Sequence, residues 1–201
     1  MKISKSSFAL SVADKRLSDG KPQISFVGRS NVGKSSLLNM LVNNKKLART
    51  SSTPGRTRLI NYFAITGTMQ DNTSKDFYFV DLPGYGFAQA SKMEIGKWQS
   101  LIEPFLVNNE DLKCTCVLVD ARHDASPLDK QMIKFLVYYN IPFIIIATKC
   151  DKLPKSKIKP TLAKLATGLG VVAGNIYGTS SDTGYGKQEV LDKLEQFLLL
   201  D

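Results

Sequence analysis

Long apolar runs are missing from this chain. The longest, from Ile141 to Ala147, contains Pro142 and is far shorter than the roughly 20 residues that a membrane-spanning helix needs. Near the beginning of the sequence, the apolar stretch from Phe8 to Leu10 is too short for the hydrophobic region of a signal peptide. We therefore expect no membrane span and a cytoplasmic location.

Cysteine and histidine are also scarce, with three cysteines and one histidine in the whole chain. Three cysteines are too few for a disulfide framework, and Cys114 and Cys116 lie one residue apart in a strand-like run. No C-x₂-C pair exists, and only His123 could join the thiols, so a zinc site is not expected. The pattern is typical of core thiols in a reducing compartment.

Acidic residues are outnumbered, because 18 Asp+Glu stand against 27 Lys+Arg and give a net charge of +9. This excess favours a polyanionic partner, with RNA as the first candidate; the alternative is a basic surface that only aids solubility. A length of 201 residues with 43% hydrophobic content suffices for one full core. We expect a single, monomeric domain over residues 21–201, preceded by a weakly patterned lead-in over residues 1–20.

One stretch stands out, Gly28-Arg29-Ser30-Asn31-Val32-Gly33-Lys34-Ser35, which has the pattern G-x-x-x-x-G-K-[ST] between a strand-like and a helix-like run. Gly28 and Gly33 let the backbone turn tightly, so that successive N–H groups and the positive helix end face one anion. Lys34 adds a cation, and the Ser35 hydroxyl can ligate Mg²⁺. The pattern predicts a nucleotide site, whereas a simple glycine turn would leave Lys34 and Ser35 unexplained.

Strand-like and helix-like stretches alternate along the chain. The predicted strands cover 23–27, 59–65, 77–81, 113–120, 142–148 and 175–179, and the predicted helices cover 36–42, 92–106, 128–139, 157–169 and 187–200. The second and third strands follow each other across a short turn and should pair antiparallel. We predict an α/β fold with a mainly parallel six-stranded sheet, one antiparallel strand and helices on both faces.

Polar residues recur where predicted strands end, which is where ligands bind in such sheets. Asp81 can hold Mg²⁺ through water, and Gly84 can offer its N–H to a terminal phosphate. The carboxylate of Asp151, in Thr148-Lys149-Cys150-Asp151, can accept both donors of the guanine edge, which favours GTP over ATP. The last such segment, Thr179-Ser180-Ser181, can present N–H groups to the guanine oxygen.

The ordered set G-R-S-N-V-G-K-S, T-P-G-R-T, D-L-P-G-Y-G, T-K-C-D and T-S-S resembles the EngB family, in the Era-like branch of P-loop GTPases, from about residue 20 to 197. The resemblance implies a three-layer, Ras-like GTPase fold, slow GTP hydrolysis, and a role in assembly of the large ribosomal subunit, cell division and septation. It implies Thr57 as a switch threonine that, with Ser35 and Asp81, forms the Mg²⁺ shell. Within the nucleotide site, the candidate catalytic residues are Lys34, Thr57, Gly84 and Asn31. The motifs and the resemblance together predict that the whole nucleotide site consists of Gly28, Arg29, Ser30, Asn31, Val32, Gly33, Lys34, Ser35, Ser36, Gly55, Arg56, Thr57, Arg58, Leu59, Asp81, Leu82, Pro83, Gly84, Thr148, Lys149, Cys150, Asp151, Thr179, Ser180 and Ser181.

Three positions bear on mechanism. Tyr85 follows Gly84 where Ras-type GTPases carry the Gln that orients water, so intrinsic hydrolysis should be slow. Thr148 stands where many GTPases have Asn, so guanine preference rests on Asp151. In relatives with Asn at the place of Asn31, a K⁺ ion can sit against the phosphates; the alternative is that Asn31 only forms the turn.

Two basic groups are the candidate RNA contacts, Lys45, Lys46, Arg49, Arg56 and Arg58 beside the 43–57 loop, and Lys152, Lys155, Lys157, Lys159 and Lys164 after the guanine motif. Trp98 is predicted to pack in the core, and His123 to be structural or solvated. Two other functions stay open at this point: a nucleotide-binding scaffold with negligible turnover, and a P-loop ATPase or kinase. A kinase would need an acceptor site and a lid with an arginine, and neither is visible.

Overall fold

The computed structural model describes residues 1–13, 16–48, 59–85 and 102–200. Its strands are β1 (Lys2–Val12), β2 (Gln23–Gly28), β3 (Ile60–Thr68), β4 (Ser74–Asp81), β5 (Leu112–Asp120), β6 (Phe143–Thr148) and β7 (Ile176–Gly178). The numbered helices are α1 (Lys34–Leu41), α2 (Pro127–Tyr138), α3 (Lys155–Leu169) and α4 (Lys187–Leu198), with short 3₁₀ helices at Cys150–Lys152 and Ala173–Asn175.

The described strands form one sheet in the order β1-β3-β4-β2-β5-β6-β7. The five strands from β4 to β7 in this order are parallel to their neighbours, and β3 runs antiparallel to both β4 and β1. The predicted α/β class and the single antiparallel strand are therefore confirmed. Every residue of the central strand β2 is buried, because helices cover both of its faces.

The predicted number of six strands was wrong, because residues 2–12 of the expected lead-in form β1 at the edge of the same sheet. This strand is mostly exposed, and its pairing with β3 shifts register twice, between Ile3 and Lys5 and between Phe8 and Leu10. Each irregularity interrupts the strict alternation by which a half-buried strand is recognised in a sequence. The sequence of this edge strand therefore lacks the alternation of hydrophobic and polar residues that would have predicted it.

The helix expected over residues 92–106 lies mostly outside the described residues, but residues 102–106 are helical. The starts and ends of α2, α3 and α4 fall within two residues of the predicted ones. Pro127 begins α2 one residue earlier than predicted, directly after the cap residue Ser126. Proline suits the first helical turn because the N–H that it lacks would have no partner within the helix there.

Two layers of helices enclose the sheet. On one side, α2, α3 and the 102–106 segment bury a cluster that includes Phe105, Leu136 and Leu165. On the other side, α1 and α4 bury a cluster that includes Leu38 and Leu194. This three-layer arrangement brings the carboxyl ends of β2, β4, β5 and β6 to one edge, where the motif residues meet.

None of the helices in the described ranges is long and apolar enough to cross a membrane. The three cysteines, Cys114, Cys116 and Cys150, are buried and free. Burial raises the pKa of the Cys150 thiol, so it stays protonated near neutral pH.

Candidate functional site

The glycine-rich loop between β2 and α1 turns with two residues in the left-handed region. Asn31 has φ 62° and Gly33, which caps α1, has φ 106°. A Cβ on Gly28 would lie 2.9 Å from the Leu118 carbonyl oxygen on the neighbouring strand, so this position needs glycine. The loop thus presents the N-terminus of α1 at the sheet edge, as the sequence pattern predicts.

The segment after β4 is hydrogen-bonded to this loop at Tyr85. The Tyr85 N–H donates to the Gly28 oxygen at 3.1 Å, and the Ser30 N–H donates to the Tyr85 oxygen at 3.2 Å. Between them, a Cβ on Gly84 would lie 3.1 Å from the Gly28 oxygen and 3.4 Å from the Ser30 nitrogen. Glycine fits this close approach of the two backbones without a shift, whereas a Cβ would require the loop to move by a few tenths of an ångström.

Lys34 and Asp81 meet at the beginning of α1. The Lys34 ammonium forms an ion pair with the Asp81 carboxylate, and their side chains are 11% and 7% exposed. The two predicted phosphate and metal residues are therefore neighbours, although 47 positions separate them in the sequence.

Thr148 and Lys149, which begin the predicted guanine motif, are bonded to the glycine-rich loop. The Thr148 hydroxyl donates to the Val32 oxygen at 2.6 Å, and the Lys149 ammonium donates to the Asn31 oxygen at 2.8 Å. Lys149 itself adopts φ 62°. Thr148 thus connects the end of β6 to the loop by a hydrogen bond. This role was not evident from the observation that many GTPases have Asn at this position.

Asp120, at the end of β5, was missed by the sequence analysis. Its carboxylate accepts from the Lys149 ammonium at 2.9 Å and from two nitrogens of the Arg122 guanidinium at 2.9 and 2.8 Å. Partial burial alone would raise the pKa of Asp120, but the hydrogen bonds from Arg122 and Lys149 outweigh it and lower the pKa. Asp120 ends a buried strand as Asp81 does, so the same strand-end rule could have found it.

Asp151 lies in the short 3₁₀ helix after β6, with its side chain 13% exposed. The Lys152 ammonium is 2.7 Å from one carboxylate oxygen and also 3.3 Å from Asp182. Hydrogen bonds from Lys152 and then Ser180 lower the pKa of Asp151. The carboxylate is therefore ionised at neutral pH and able to accept hydrogen bonds.

In the Thr179-Ser180-Ser181 segment after β7, part of the backbone N–H groups donate to other residues of the protein. The Thr179 N–H donates to the Ala147 oxygen at 2.7 Å, and the Ser180 N–H donates to the Tyr185 oxygen at 3.1 Å. Two of the three expected N–H donors are therefore used inside the protein. Both residues are buried, whereas Ser181 is partly exposed.

The side chain of Tyr85 is buried in a core cluster, where it is 6% exposed. Its hydroxyl donates to Asp129 Oδ1 at 3.0 Å, at the beginning of α2. Burial, and then the Asp129 charge, raise the pKa of Tyr85 well above its ordinary value. The phenol is thus a neutral structural donor, and Asp129 is a second site residue that the sequence analysis missed.

A cleft of about 400 Å³ opens beside the loop and is lined by Arg29, Asn31, Asp120, Arg122, His123 and Lys149 among others. Leu59 is exposed just before β3. Gly55, Arg56, Thr57 and Arg58 lie outside the described residues, as do Arg49 and Trp98.

A glycine-rich phosphate loop between a central strand and a helix, with an aspartate-containing motif and a lysine-aspartate motif at neighbouring strand ends, is the arrangement of a P-loop GTPase. A family model described as "50S ribosome-binding GTPase" matches residues 23–149. The probable GTP-binding protein EngB of Geobacillus sp. (strain WCH70) is 41% identical over 201 residues, covering 98% of this chain and 100% of the relative. Its namesake from Clostridium acetobutylicum is 44% identical over 197 residues, covering 96% and 94%.

Two solved structures show the same fold. A crystal structure of a probable GTP-binding protein engB has a TM-score of 0.64 at 22% identity and covers 88% of this chain and 98% of its own. Era in complex with MgGDPNP and a segment of 16S ribosomal RNA has a TM-score of 0.70 at 23% identity, covering 90% of this chain and 57% of its own. The chain belongs to the EngB family of GTP-binding GTPases.

Proposed function

We propose that this GTPase is a cytoplasmic switch in assembly of the large ribosomal subunit, with slow intrinsic turnover, and that normal cell division and septation depend on it. One observation carries the switch: Tyr85, in the segment after β4, is hydrogen-bonded to the phosphate loop through both its N–H and its oxygen. A terminal phosphate beside this loop would contact that segment directly, so the segment can distinguish GTP from GDP. The ribosomal partner is supported by the family description, 50S ribosome-binding GTPase, and by the net charge of +9.

In this proposal the phosphates lie at the N-terminus of α1, where the loop N–H groups and the Lys34 ammonium bind them. The stem of Lys149 lies along the guanine plane, since its ammonium is already held at the Asn31 oxygen. Asp151 accepts the two donors of the guanine edge. Because Thr179 and Ser180 donate within the protein, we assign the contact with the guanine oxygen to the Ser181 N–H.

The residues near Lys34 fit Mg²⁺. Asp81 is a buried carboxylate at the beginning of α1, where its contact with Lys34 places it, and Ser35 offers a hydroxyl in the first turn. Oxygen ligands of this kind are those that Mg²⁺ prefers. When bound, Mg²⁺ would offset the charge of the outer phosphates. Thr57, the third proposed ligand, lies outside the described residues.

Slow hydrolysis follows from the position of Tyr85. Its phenol is buried against Asp129, so no side chain of the Gln type follows Gly84 to orient the attacking water. We propose that Gly84 contacts the terminal phosphate through its N–H and that Lys34 stabilises the transferred charge. Asn31, on the rim of the cleft, is the proposed K⁺ ligand through its side-chain oxygen.

Single-turnover GTP hydrolysis by the full chain, with and without purified large ribosomal subunits, tests the proposal. We expect the chain alone to hydrolyse GTP slowly and the subunits to accelerate hydrolysis. In a competition assay, GDP should displace bound GTP and ATP should not. Equal displacement by ATP would favour an ATPase or kinase. Hydrolysis that stays negligible even with subunits would favour a nucleotide-binding scaffold.

A further inference from the structure

The exposed sides of α2 and α3 form one basic surface. The two helices are neighbours: the Lys164 ammonium lies 2.6 Å from Asp124 in the loop before α2, and both helices bury residues in the same core cluster. We call their exposed lysines the lysine face, which consists of Lys130, Lys134, Lys155, Lys157, Lys159 and Lys164. This surface lies on the opposite side of the sheet from α1 and α4.

Acidic side chains hardly offset this charge. The single carboxylate of α2, Asp129, is buried and bonded to Tyr85 and Ser126, and α3 contains no acidic residue. Among the residues that the structure describes, only Lys164 of the six lysines forms an ion pair. By contrast, α4 carries three acidic residues, Glu189, Asp192 and Glu195, against two lysines.

The lysine face is unfavourable for the helices that carry it. Lys130 and Lys134 on α2 are four residues apart, as are Lys155 and Lys159 on α3, and like charges at this spacing repel. In α3, three lysines also occupy the first five residues, at the positive end of the helix dipole and without an acidic residue there. A chain that accepts these costs on two adjacent helices has a use for the charge outside its own fold.

We propose that the lysine face binds ribosomal RNA through its phosphate backbone. An array of cations on two adjacent helices matches a row of phosphates, which a protein neutralises with Lys and Arg. Tyr138 continues the line of Lys130 and Lys134 along α2 and is 78% exposed, so its ring is available to stack on an unpaired base. This inference rests on the proposed ribosomal function and assigns a surface to it.

The structure also separates the lysine face from the other basic residues. Lys152 is paired with Asp151 and Asp182 beside the proposed guanine site, so it is already neutralised. Lys21 is exposed before β2, and Lys193 lies on α4, on the other side of the sheet. They provide a matched control, together with Lys2 and Lys5 on the exposed edge strand.

The test compares three fourfold variants of the full chain. One replaces Lys130, Lys134, Lys155 and Lys159 with Gln; the second replaces the same lysines with Arg; the control replaces Lys2, Lys5, Lys21 and Lys193 with Gln. The two Gln variants remove the same net charge. Affinity is measured for intact large ribosomal subunits and for deproteinised large-subunit rRNA, over a range of salt concentrations, with GTP binding and thermal unfolding as measures of correct folding.

We expect the lysine-face Gln variant to lose about tenfold or more in affinity for both probes, and its salt dependence to weaken by about 0.7 to 0.9 in slope per lost phosphate contact. The Arg variant should bind like the wild type, and the control should lose much less than the lysine-face variant. Equal losses in both Gln variants would overturn the proposal, because only net charge would matter. A loss for subunits with unchanged rRNA binding would indicate a ribosomal protein as the partner and would also overturn it.

The same measurements separate this inference from the ribosomal function on which it rests. If the wild type binds subunits and the lysine-face Gln variant binds them equally well, only the proposed surface is rejected. A wild-type chain that binds neither subunits nor rRNA rejects both. If the Gln variant fails to bind GTP, the single changes Lys134→Gln and Lys159→Gln decide, since each alters one exposed side chain only.

Discussion

The Tyr85 hydroxyl donates a 3.0 Å hydrogen bond to Asp129, whose second carboxylate oxygen accepts from the Ser126 N–H and hydroxyl at the cap of α2. Tyr85 is also bonded through its backbone to the phosphate loop on both sides. One residue therefore connects the loop that would face the γ-phosphate with the first turn of α2. The aromatic ring that replaces the water-orienting Gln thus has a structural role of its own.

Removing this hydroxyl should destabilise the protein. In Tyr85→Phe the buried Asp129 carboxylate loses one donor, at a cost of about 1 to 2 kcal/mol. That corresponds to a decrease in Tm of about 2 to 4 °C per kcal/mol for a chain of this size. Thermal unfolding of the nucleotide-free chain measures it. Tyr139→Phe is the matched control, because its hydroxyl donates to Glu103 at an exposed site; equal shifts in the two variants would contradict the structural role.

Thr148 should matter for both stability and nucleotide affinity, since its hydroxyl joins β6 to the phosphate loop. Thr148→Val leaves the buried Val32 oxygen without this donor, at a cost of about 1 to 3 kcal/mol in the free energy of unfolding. GDP affinity should fall in the same variant, by about tenfold, because the loop loses its support. Thr148→Ser keeps the hydroxyl and should keep most of both. A Val variant that binds GDP like the wild type would show that the bond does not position the loop.

Asp151 should decide which base is bound. Asp151→Asn replaces one acceptor oxygen with an NH₂ donor, which faces the 2-amino group of guanine unfavourably but suits the 2-oxo group of xanthine. We expect GDP affinity to fall by about 100-fold or more, in line with leaving buried polar groups unpaired, and xanthosine diphosphate to bind better than GDP. Fluorescence titration with both nucleotides measures this. Unchanged GDP binding would remove Asp151 from the base site.

Asp120 gives a prediction about acid stability. Its folded pKa is lowered by Arg122 and Lys149, below the ordinary value of about 3.9 in the unfolded chain. The ionised form therefore stabilises the folded state above about pH 4, and this contribution is lost as the pH falls toward the folded pKa. The difference in free energy of unfolding between wild type and Asp120→Asn should shrink below about pH 4. A difference that is constant from pH 7 to pH 3 would contradict the pairing.

The sequence predicted those parts of the site that follow from the edge of a parallel sheet. Asp81, Thr148 and Lys149 lie at strand ends, and the periodicity of the central strands was sufficient to place them. Contacts between distant segments could not be read in the same way. The bond from Tyr85 to Asp129 spans 44 positions and depends on how α2 packs against the sheet.

Edge and loop features were also beyond the sequence. β1 lies at an exposed edge and its pairing shifts register twice, so its sequence does not alternate regularly between hydrophobic and polar residues. The N–H groups of Thr179 and Ser180 look available in a sequence, but backbone pairing with Ala147 and Tyr185 uses them. The residue types Thr179 and Ser180 do not reveal these backbone partners, because the fold brings Ala147 and Tyr185 to them.

Asn31 carries the prediction on cation dependence. Its backbone has φ 62° and its carbonyl oxygen accepts from Lys149, so the residue is fixed at the rim of the cleft. If its side-chain oxygen ligates K⁺ against the phosphates, single-turnover hydrolysis at saturating GTP should be on the order of tenfold faster in KCl than in NaCl of equal ionic strength, a small part of what an arginine finger supplies. Asn31→Ala should abolish the difference. Asn72→Ala is the control, because Asn72 has φ 66° in a turn between β3 and β4 and carries the same backbone strain. Equal rates of the wild type in the two salts would leave Asn31 as a turn residue only.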